Sequence, residues 1–211
     1  MQERGAEKWA VPYLPIDPAD VGRKYEPVVR INSQSGKGGV AFIMETVYGY
    51  KLPKEMQREF ADVIQLISER EGGEVAPTRI MDAFRGEYLK RKTPYEFVSA
   101  KVEDDHADEE TRVTLIFRYQ DREIVSEGRG NGPIDAVKRG LIERFRLDTK
   151  ILDYEEHALQ SGSNSQAAAY IHLLDSNTGH VTYGVGVSSN ITRASVRAIF
   201  SALNRLGLGS R

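Results

Sequence analysis

The chain reads EIVSEGRG over Glu123–Gly130 and VTYGVGV over Val181–Val187, and both stretches contain a Gly-x-Gly pair near their end. Each stretch has the character of a short β-strand, and a helical pattern follows it, over Pro133–Phe145 and about Thr192–Leu206. The two Gly-x-Gly pairs recur 56 positions apart. We therefore predict that the sequence states one structural unit twice.

Two further strands are predicted before each of these stretches, so the repeated unit is strand, strand, strand, helix. These strands are Phe97–Val102 and Val113–Tyr119 in the first copy, and Ile151–Tyr154 and Ala168–Leu174 in the second. A pair of such βββα units predicts an α+β fold in which two small sheets are related by a pseudo-twofold axis. Facing glycine corners favour a small-molecule site, and open sheet edges favour a second subunit.

The residues before the repeat are predicted to form a two-part linker. Apolar residues at three- and four-residue steps predict a helix from Lys54 to Arg70, and a second helix opens at Pro77. Earlier, Val28–Asn32 and Val40–Met44 are predicted as two short strands around a glycine-rich loop. We divide the chain into a small irregular, strand-containing β unit (1–50), a helical linker (51–94) and a doubled domain (95–211) with units at about 95–147 and 150–208.

The composition excludes several classes of protein. Among 211 residues, 40% are hydrophobic and 28% are charged, which is ordinary for a globular chain. A formal net charge of -2 argues against nucleic acid or an anionic membrane as a partner. The absence of cysteine excludes disulfides, thiol nucleophiles and Cys-ligated zinc, and no apolar run approaches the roughly 18 residues of a membrane span. We expect a cytoplasmic protein.

Motifs that carry chemistry are weak in this sequence. The loop Ser35–Gly39 lacks the closing Gly-Lys-Ser/Thr of a phosphate-binding loop, and Gly128–Pro133 lacks the βαβ frame of a dinucleotide site. The four histidines are scattered without metal-ligand spacing, so we expect no metal site. Two interpretations of Asn131 stay open: part of a plain strand-to-helix corner, or an amide offered to a bound polar group.

Four stretches resemble a known family: Val11–Pro18, Asp20–Arg23, Arg30–Val40 and Gly130–Pro133 are similar to the C-terminal half of the 2-isopropylmalate synthases, of the longer type found in actinobacteria and relatives. The resemblance implies a parent enzyme that condenses acetyl-CoA with 2-oxoisovalerate in leucine synthesis, with a divalent metal in an N-terminal TIM barrel. This chain then corresponds to the linker and the feedback-regulatory domain. It is expected to be inactive alone, to hold no cofactor, to form a homodimer and to bind leucine as allosteric effector.

The resemblance also implies a set of site residues. The leucine pocket falls on Asn131, Ile134, Asp135, Ile151, Tyr154, Ala158, Ser165, Ala167 and Ile191. The three isoleucines suit an isobutyl side chain, while Asn131 and backbone groups suit the ammonium and carboxylate. Asp135 and Ser165 stand where the family has small apolar residues, and for Asp135 we keep two roles, pairing with the ligand ammonium or pointing outward. Tyr13 matches a linker tyrosine near the active site of the parent's partner subunit.

Three alternatives remain beside the leucine-sensing interpretation. The first keeps the architecture and changes the effector to isoleucine, as in the related citramalate synthases. The second is a structural dimerisation module that binds no ligand. The third, a self-sufficient enzyme, is the weakest, because no catalytic arrangement of residues is visible in the sequence.

Overall fold

The structure is a computed structural model that describes residues 36–105, 110–160, 162 and 165–208. Its first part is helical. It contains α1 (Gly36–Thr46), α2 (Lys54–Glu71) and α3 (Pro77–Phe84), and α3 runs on into a π-helical segment, Arg85–Leu89. The predicted helices after Lys54 and at Pro77 are confirmed: α2 ends at Gly72 with φ of 72°, and Pro77 occupies the first turn of α3.

The predicted strand over Val40–Met44 is wrong, because these residues lie in α1. Val40, Ile43 and Met44 are buried at helical spacing, whereas Phe42 is 55% exposed. An apolar run of five residues fits a buried strand and a buried helix equally well, so its periodicity alone does not decide between them. The companion strand predicted at Val28–Asn32 lies outside the described residues.

The repeat forms two antiparallel three-stranded sheets, each followed by a helix, which confirms the predicted pair of βββα units. The first unit has strand order β1-β2-β3 and the second β4-β5-β6. The elements are β1 (Tyr95–Asp105), β2 (Glu110–Tyr119), β3 (Arg122–Gly130), α4 (Pro133–Phe145), β4 (Thr149–Ala158), β5 (Ala167–Asp175), β6 (Val181–Ser188) and α5 (Ile191–Leu206).

Both units carry a β-bulge at the same place in their first strand. The register of β1 shifts between Phe97 and Ser99, and that of β4 shifts between Ile151 and Asp153. A bulge inserts one unpaired residue and changes which side chains share a face. In β4 it brings Ile151 and Tyr154, three positions apart, onto the face that packs on the core.

The glycines of the third strands let a helix approach very closely. A Cβ on Gly128 would lie 2.0 Å from the Ala136 carbonyl oxygen, and one on Gly186 would lie 1.9 Å from that of Ala194. Gly128 and Gly186 therefore occupy equivalent places, and they are 58 positions apart, as are Ala136 and Ala194. The 56-residue register inferred from the Gly-x-Gly pairs is wrong for the third strand.

In the corrected alignment of the two copies, Gly184 is equivalent to Ser126 of the first unit. Ser126 Oγ donates to the Gly140 carbonyl oxygen at 2.9 Å, whereas a Cβ on Gly184 would lie 2.1 Å from the Ala198 carbonyl oxygen. The two extra positions come from the turn before the third strand. That turn is Gln120–Asp121, between the paired Tyr119 and Arg122, in the first unit, and the longer 176–179, between the bonded Asp175 and His180, in the second. Pattern matching on glycine alone thus misaligned the copies.

Strands β5 and β6 of the second sheet are buried on both faces and form the middle layer of the molecule. Ala169 and Ile171 of β5 pack into the core shared by the two units. Ala168 and Tyr170, which alternate with them, pack into a second core made with α1–α3 and the π-helical segment. The first sheet has only one buried face, so the helical part rests on the second unit alone.

A buried arginine fastens the helical part to the end of α5. The Arg205 side chain is 8% exposed and pairs with two carboxylates, Glu59 of α2 and Glu87 of the π-helical segment. Its guanidinium carbon lies 4.2 Å from the centre of the Tyr88 ring, and it donates to the Tyr183 carbonyl oxygen at 2.7 Å. We call Arg205, Glu59, Glu87 and Tyr88 the Arg205 cluster.

Candidate functional site

The corner between β3 and α4 exposes the start of a helix. Gly132 precedes the helix in extended conformation (φ 171°), Pro133 takes its first position, and no side chain caps it. The first N–H groups of a helix have no intrahelical partner and sit at the positive end of its dipole. The N–H groups of Ile134 and Asp135 are therefore suited to bind an anion such as a carboxylate.

A pocket of about 340 Å³ opens at this corner, and we call it the α4 pocket. Its apolar surface comes from isoleucine and proline side chains, and its polar surface from an amide, a carboxylate and an ammonium group. It is lined by Asn131, Gly132, Pro133, Ile134, Asp135, Lys138 and Ile151. Four of the nine predicted effector residues thus meet in one cavity: Asn131, Ile134, Asp135 and Ile151.

Lys138 is the charged residue that sequence reasoning missed in the α4 pocket. It lies one helical turn after Ile134, and residues four apart share a helix face. That spacing was visible in the sequence as soon as α4 was placed. Its half-buried ammonium group adds a positive charge beside the open helix start.

Asp135 folds back against its own corner. Its Oδ2 lies 2.9 Å from Arg139 Nε one turn along the helix. The same oxygen is buried and accepts no hydrogen bond of good geometry within the described part of the chain. A Cβ on Gly130 would lie 2.5 Å from it and 2.7 Å from the Ala136 backbone N atom, so glycine is needed there. The structure places this carboxylate in the pocket lining, with one oxygen paired to Arg139.

Tyr154 and Ile191 meet at the first turn of α5. The Tyr154 hydroxyl donates to the Glu156 carboxylate and lies 2.9 Å from Ser195 Oγ, which donates to the Ile191 carbonyl oxygen at 2.9 Å. Burial, with the Glu156 hydrogen bond second, raises the pKa of Tyr154 to about 12, so the phenol is neutral near pH 7. Neither Tyr154 nor Ile191 lines the α4 pocket.

The remaining three predicted residues lie at the far end of β4. Ala158 pairs directly with Ala167 of β5. Ser165 sits in the connecting turn, where its hydroxyl donates to the Gln160 carbonyl oxygen and its N–H to that of Gly162. Ile151 and Ala158 are seven positions apart along the strand, roughly 23 Å at about 3.3 Å per residue. Within a single chain, the predicted residues therefore form three separate groups along β4.

The equivalent corner before α5 has different chemistry. Asn190 caps the helix by accepting the Arg193 N–H on its Oδ1 at 2.9 Å. A smaller cavity of about 230 Å³ lies here, lined in part by Ala100, Val102 and Arg193. Because its helix start is already capped, this corner offers an anion less than the α4 pocket does.

The described ranges contain neither a metal-ligand cluster nor a membrane-spanning helix. Within them, no group of three or more histidine or acidic side chains is arranged to hold a metal ion. Among the helices of that same part of the chain, none has the length and apolar character needed to cross a membrane. The α4 pocket, where four of the predicted effector residues meet, is the candidate site.

Two known protein families match successive parts of the chain. Residues 74–207, which include both βββα units, match the family model described as the LeuA allosteric (dimerisation) domain. The chain belongs to this LeuA family. Residues 1–45 match a second model, described as alpha-isopropylmalate synthase, post-catalytic domain-like. The predicted residue Tyr13 falls in this second match and lies outside the described residues.

The LeuA chain is also similar to curated proteins named 2-isopropylmalate synthase. It is 48% identical over 200 residues to the one from Mycobacterium leprae (strain TN), covering 93% of this chain and 32% of the relative. It is 45% identical over 199 residues to that of Corynebacterium glutamicum (strain ATCC 13032), with 94% and 32% covered. For Pseudomonas fluorescens (strain Pf0-1) the values are 43% over 205 residues, 97% and 36%. The chain thus spans about a third of these relatives, and the resemblance to this enzyme family is confirmed.

Proposed function

We propose that this chain is the leucine-binding, feedback-regulatory and dimer-forming part of a 2-isopropylmalate synthase. The family match to an allosteric (dimerisation) domain supports the regulatory and dimerisation roles. The uncapped start of α4, opening into an apolar pocket, is the observation that supports an amino-acid effector. Condensation of acetyl-CoA with 2-oxoisovalerate is proposed for the whole parent enzyme, with its divalent metal in a barrel outside this chain.

The α4 pocket offers a partner for each group of leucine. The carboxylate would accept from the N–H groups of Ile134 and Asp135, with the Lys138 ammonium beside it. The leucine ammonium would donate to the Asp135 carboxylate and to the Asn131 amide oxygen, which both line the pocket. Ile134 and Ile151 would hold the isobutyl group.

We further propose that a second copy of the chain completes the site. β4 is an edge strand that is exposed along most of its length, and its bulge residue Leu152 is 50% exposed. The predicted residues outside the α4 pocket lie along this same strand or beside it. Leucine bound across a dimer contact would stabilise one arrangement of the two chains, and an effector acts only through such a difference in affinity between states.

Leucine titration of the 211-residue protein tests the site. Asn131→Ala is expected to weaken leucine binding about 10-fold in calorimetry, because it removes a hydrogen bond to a charged group. Asn177→Ala, an asparagine in the turn between β5 and β6, serves as matched control and is expected to leave affinity unchanged. If the parent protein is folded and dimeric but takes up no leucine, the proposed effector site is wrong.

Lys138→Met gives an independent test of the carboxylate position. The variant keeps the length of the side chain and removes its charge, so we expect leucine affinity to fall about 5- to 10-fold. Lys150→Met, which changes an exposed lysine just before Ile151, is the control. Equal leucine affinity in the Lys138→Met variant and the parent would show that the leucine carboxylate does not bind at the start of α4.

The alternatives are separated in the same titrations. Leucine, isoleucine and valine are compared side by side, and tighter binding of isoleucine would assign the chain to the citramalate synthase type. Sedimentation with and without each amino acid distinguishes an effector-sensitive dimer from a structural dimerisation module. A dimer that none of the three amino acids binds would favour the module.

A further inference from the structure

The second sheet separates two surfaces with different partners. We call the face that carries Tyr154, Ala158 and Ala167 the effector face, because it holds predicted effector residues and packs on α5 through the Tyr154 contact with Ser195. The opposite face, which we call the linker face, carries His157 and Tyr170 and packs on the helical part. Alternation along β4 places Ala158 and His157, adjacent in sequence, on opposite faces.

The His157 ring contacts both the helical part, at Lys51, and the main chain of Ala158. The main-chain N–H of Lys51 donates to His157 Nε2 at 3.1 Å, so Nε2 is an acceptor and Nδ1 carries the ring proton. Nδ1 lies 3.1 Å from the Ala158 carbonyl oxygen and donates to it. The ring also stacks on Tyr170, with centroids 5.6 Å apart and planes at 17°, and the Tyr170 hydroxyl lies 3.0 Å from Nε2.

Lys51, which donates to His157, lies at the C-terminal cap of α1. Gly49 adopts a left-handed conformation (φ 77°), and the Tyr50 N–H donates to the Met44 carbonyl oxygen at 2.8 Å, which closes the end of the helix. A Cβ on Gly49 would lie 2.7 Å from the Leu159 carbonyl oxygen. The segment Gly49–Lys51 therefore contacts both sequence neighbours of Ala158. Lys51 donates to His157, and Gly49 packs against the Leu159 carbonyl oxygen.

We propose that His157 is the positioning residue through which occupancy of the effector face reaches the α1 cap, Gly49–Lys51. In the proposed dimer, the Ala158 end of β4 from one copy completes the α4 pocket of the other, so a ligand that fixes Ala158 also fixes the carbonyl group to which the His157 ring donates. The ring then holds its acceptor nitrogen under the Lys51 N–H. α1 includes the end of the segment matched by the post-catalytic model, and the α1 cap follows it directly, so this contact joins the regulatory unit to that segment. The inference rests on the proposed leucine site.

Hydrogen exchange at the Lys51 amide, followed by NMR in the 211-residue protein, tests this coupling. Saturating leucine is expected to slow exchange of that amide at least about 5-fold in the parent, because bonded amides exchange only through local opening. In His157→Phe, which keeps a ring on Tyr170 but has no acceptor, we expect leucine affinity within about 3-fold of the parent and a leucine effect on Lys51 below about 2-fold. His157→Gln, which restores an acceptor, should recover part of the effect.

A second histidine provides the matched control. His172 also lies on the linker face and stacks on a tyrosine, Tyr183, with centroids 4.3 Å apart, but its ion-pair partner is Glu55 of α2. His172→Phe should keep the leucine effect at Lys51. In the parent, the nitrogen chemical shifts of His157 should show the proton on Nδ1.

Each other outcome counts against the inference in a distinguishable way. If His157→Phe keeps the full leucine effect at Lys51, the coupling does not pass through the ring. If leucine binds the parent and leaves the Lys51 amide unchanged, the inference is wrong while the proposed function stands. If leucine does not bind the parent at all, both are wrong.

Discussion

Replacing Gly186 by alanine is expected to lower the free energy of unfolding by about 3 to 4 kcal/mol, near the upper end of the range for overpacked sites. The new Cβ would lie 1.9 Å from the Ala194 carbonyl oxygen and 2.6 Å from the Ala198 N atom. Both atoms belong to the backbone of α5, so no side-chain rotation relieves the contact. The whole helix must move away from β6, and the core between them must open. Urea denaturation followed by circular dichroism measures the loss.

Two further variants frame this expectation. Gly128→Ala makes the equivalent contact in the first unit and should be similarly destabilised. Gly86→Ala is the control, since nothing lies within 4 Å of its Cβ position, and its effect should stay within about 1 kcal/mol. If Gly186→Ala unfolds at the same urea concentration as Gly86→Ala, then α5 does not pack on β6 as closely as described.

Arg205→Met should cost about 3 to 5 kcal/mol of stability, because removing one partner of a buried ion pair leaves charge uncompensated. Here two carboxylates, Glu59 and Glu87, share the one guanidinium group. The variant also loses the contact with the Tyr88 ring and the hydrogen bond to the Tyr183 carbonyl oxygen. Since the cluster joins α2, the π-helical segment, β6 and α5, the helical part should become the first region to open.

The exposed pair Arg79–Glu71 provides the control for Arg205. Its two side chains are 43% and 48% exposed, so Arg79→Met should unfold at nearly the same urea concentration as the parent. Adding Glu59→Gln and Glu87→Gln to Arg205→Met should recover part of the lost stability, because the unpaired charges disappear. Denaturation of the set by urea makes the comparison. Equal stability of Arg205→Met and Arg79→Met would show that the Arg205 cluster is not buried.

The parts of the fold that sequence could predict are those with a repeated local period. The helix predicted at Pro133–Phe145 has those bounds in the structure, because a proline at its first position and regular apolar spacing mark it. All six strands of the two units were placed for the same reason. The five-residue apolar run at Val40 carries no such period, and it was predicted as a strand although it is helical.

The candidate site depended more on geometry that sequence does not show. The bulge at Leu152 changes which residues of β4 share a face, and no residue type in this strand predicts a bulge. The open helix start and Lys138 became visible only once α4 was placed beside Ile151. The Arg205 cluster joins residues 146 positions apart, so no local pattern could reveal it.

The double burial of the second sheet sets different limits on how the two units can change. On its linker face stand Tyr170 and Ala168, and the positions 56 residues earlier are Thr114 and Arg112 of the first sheet. A chimera with two copies of the first unit would therefore present a threonine and an arginine where α1–α3 require an aromatic ring and a small apolar residue. The two units are therefore not interchangeable: the second supports the helical part through its linker face, while the first carries polar side chains at the matching positions.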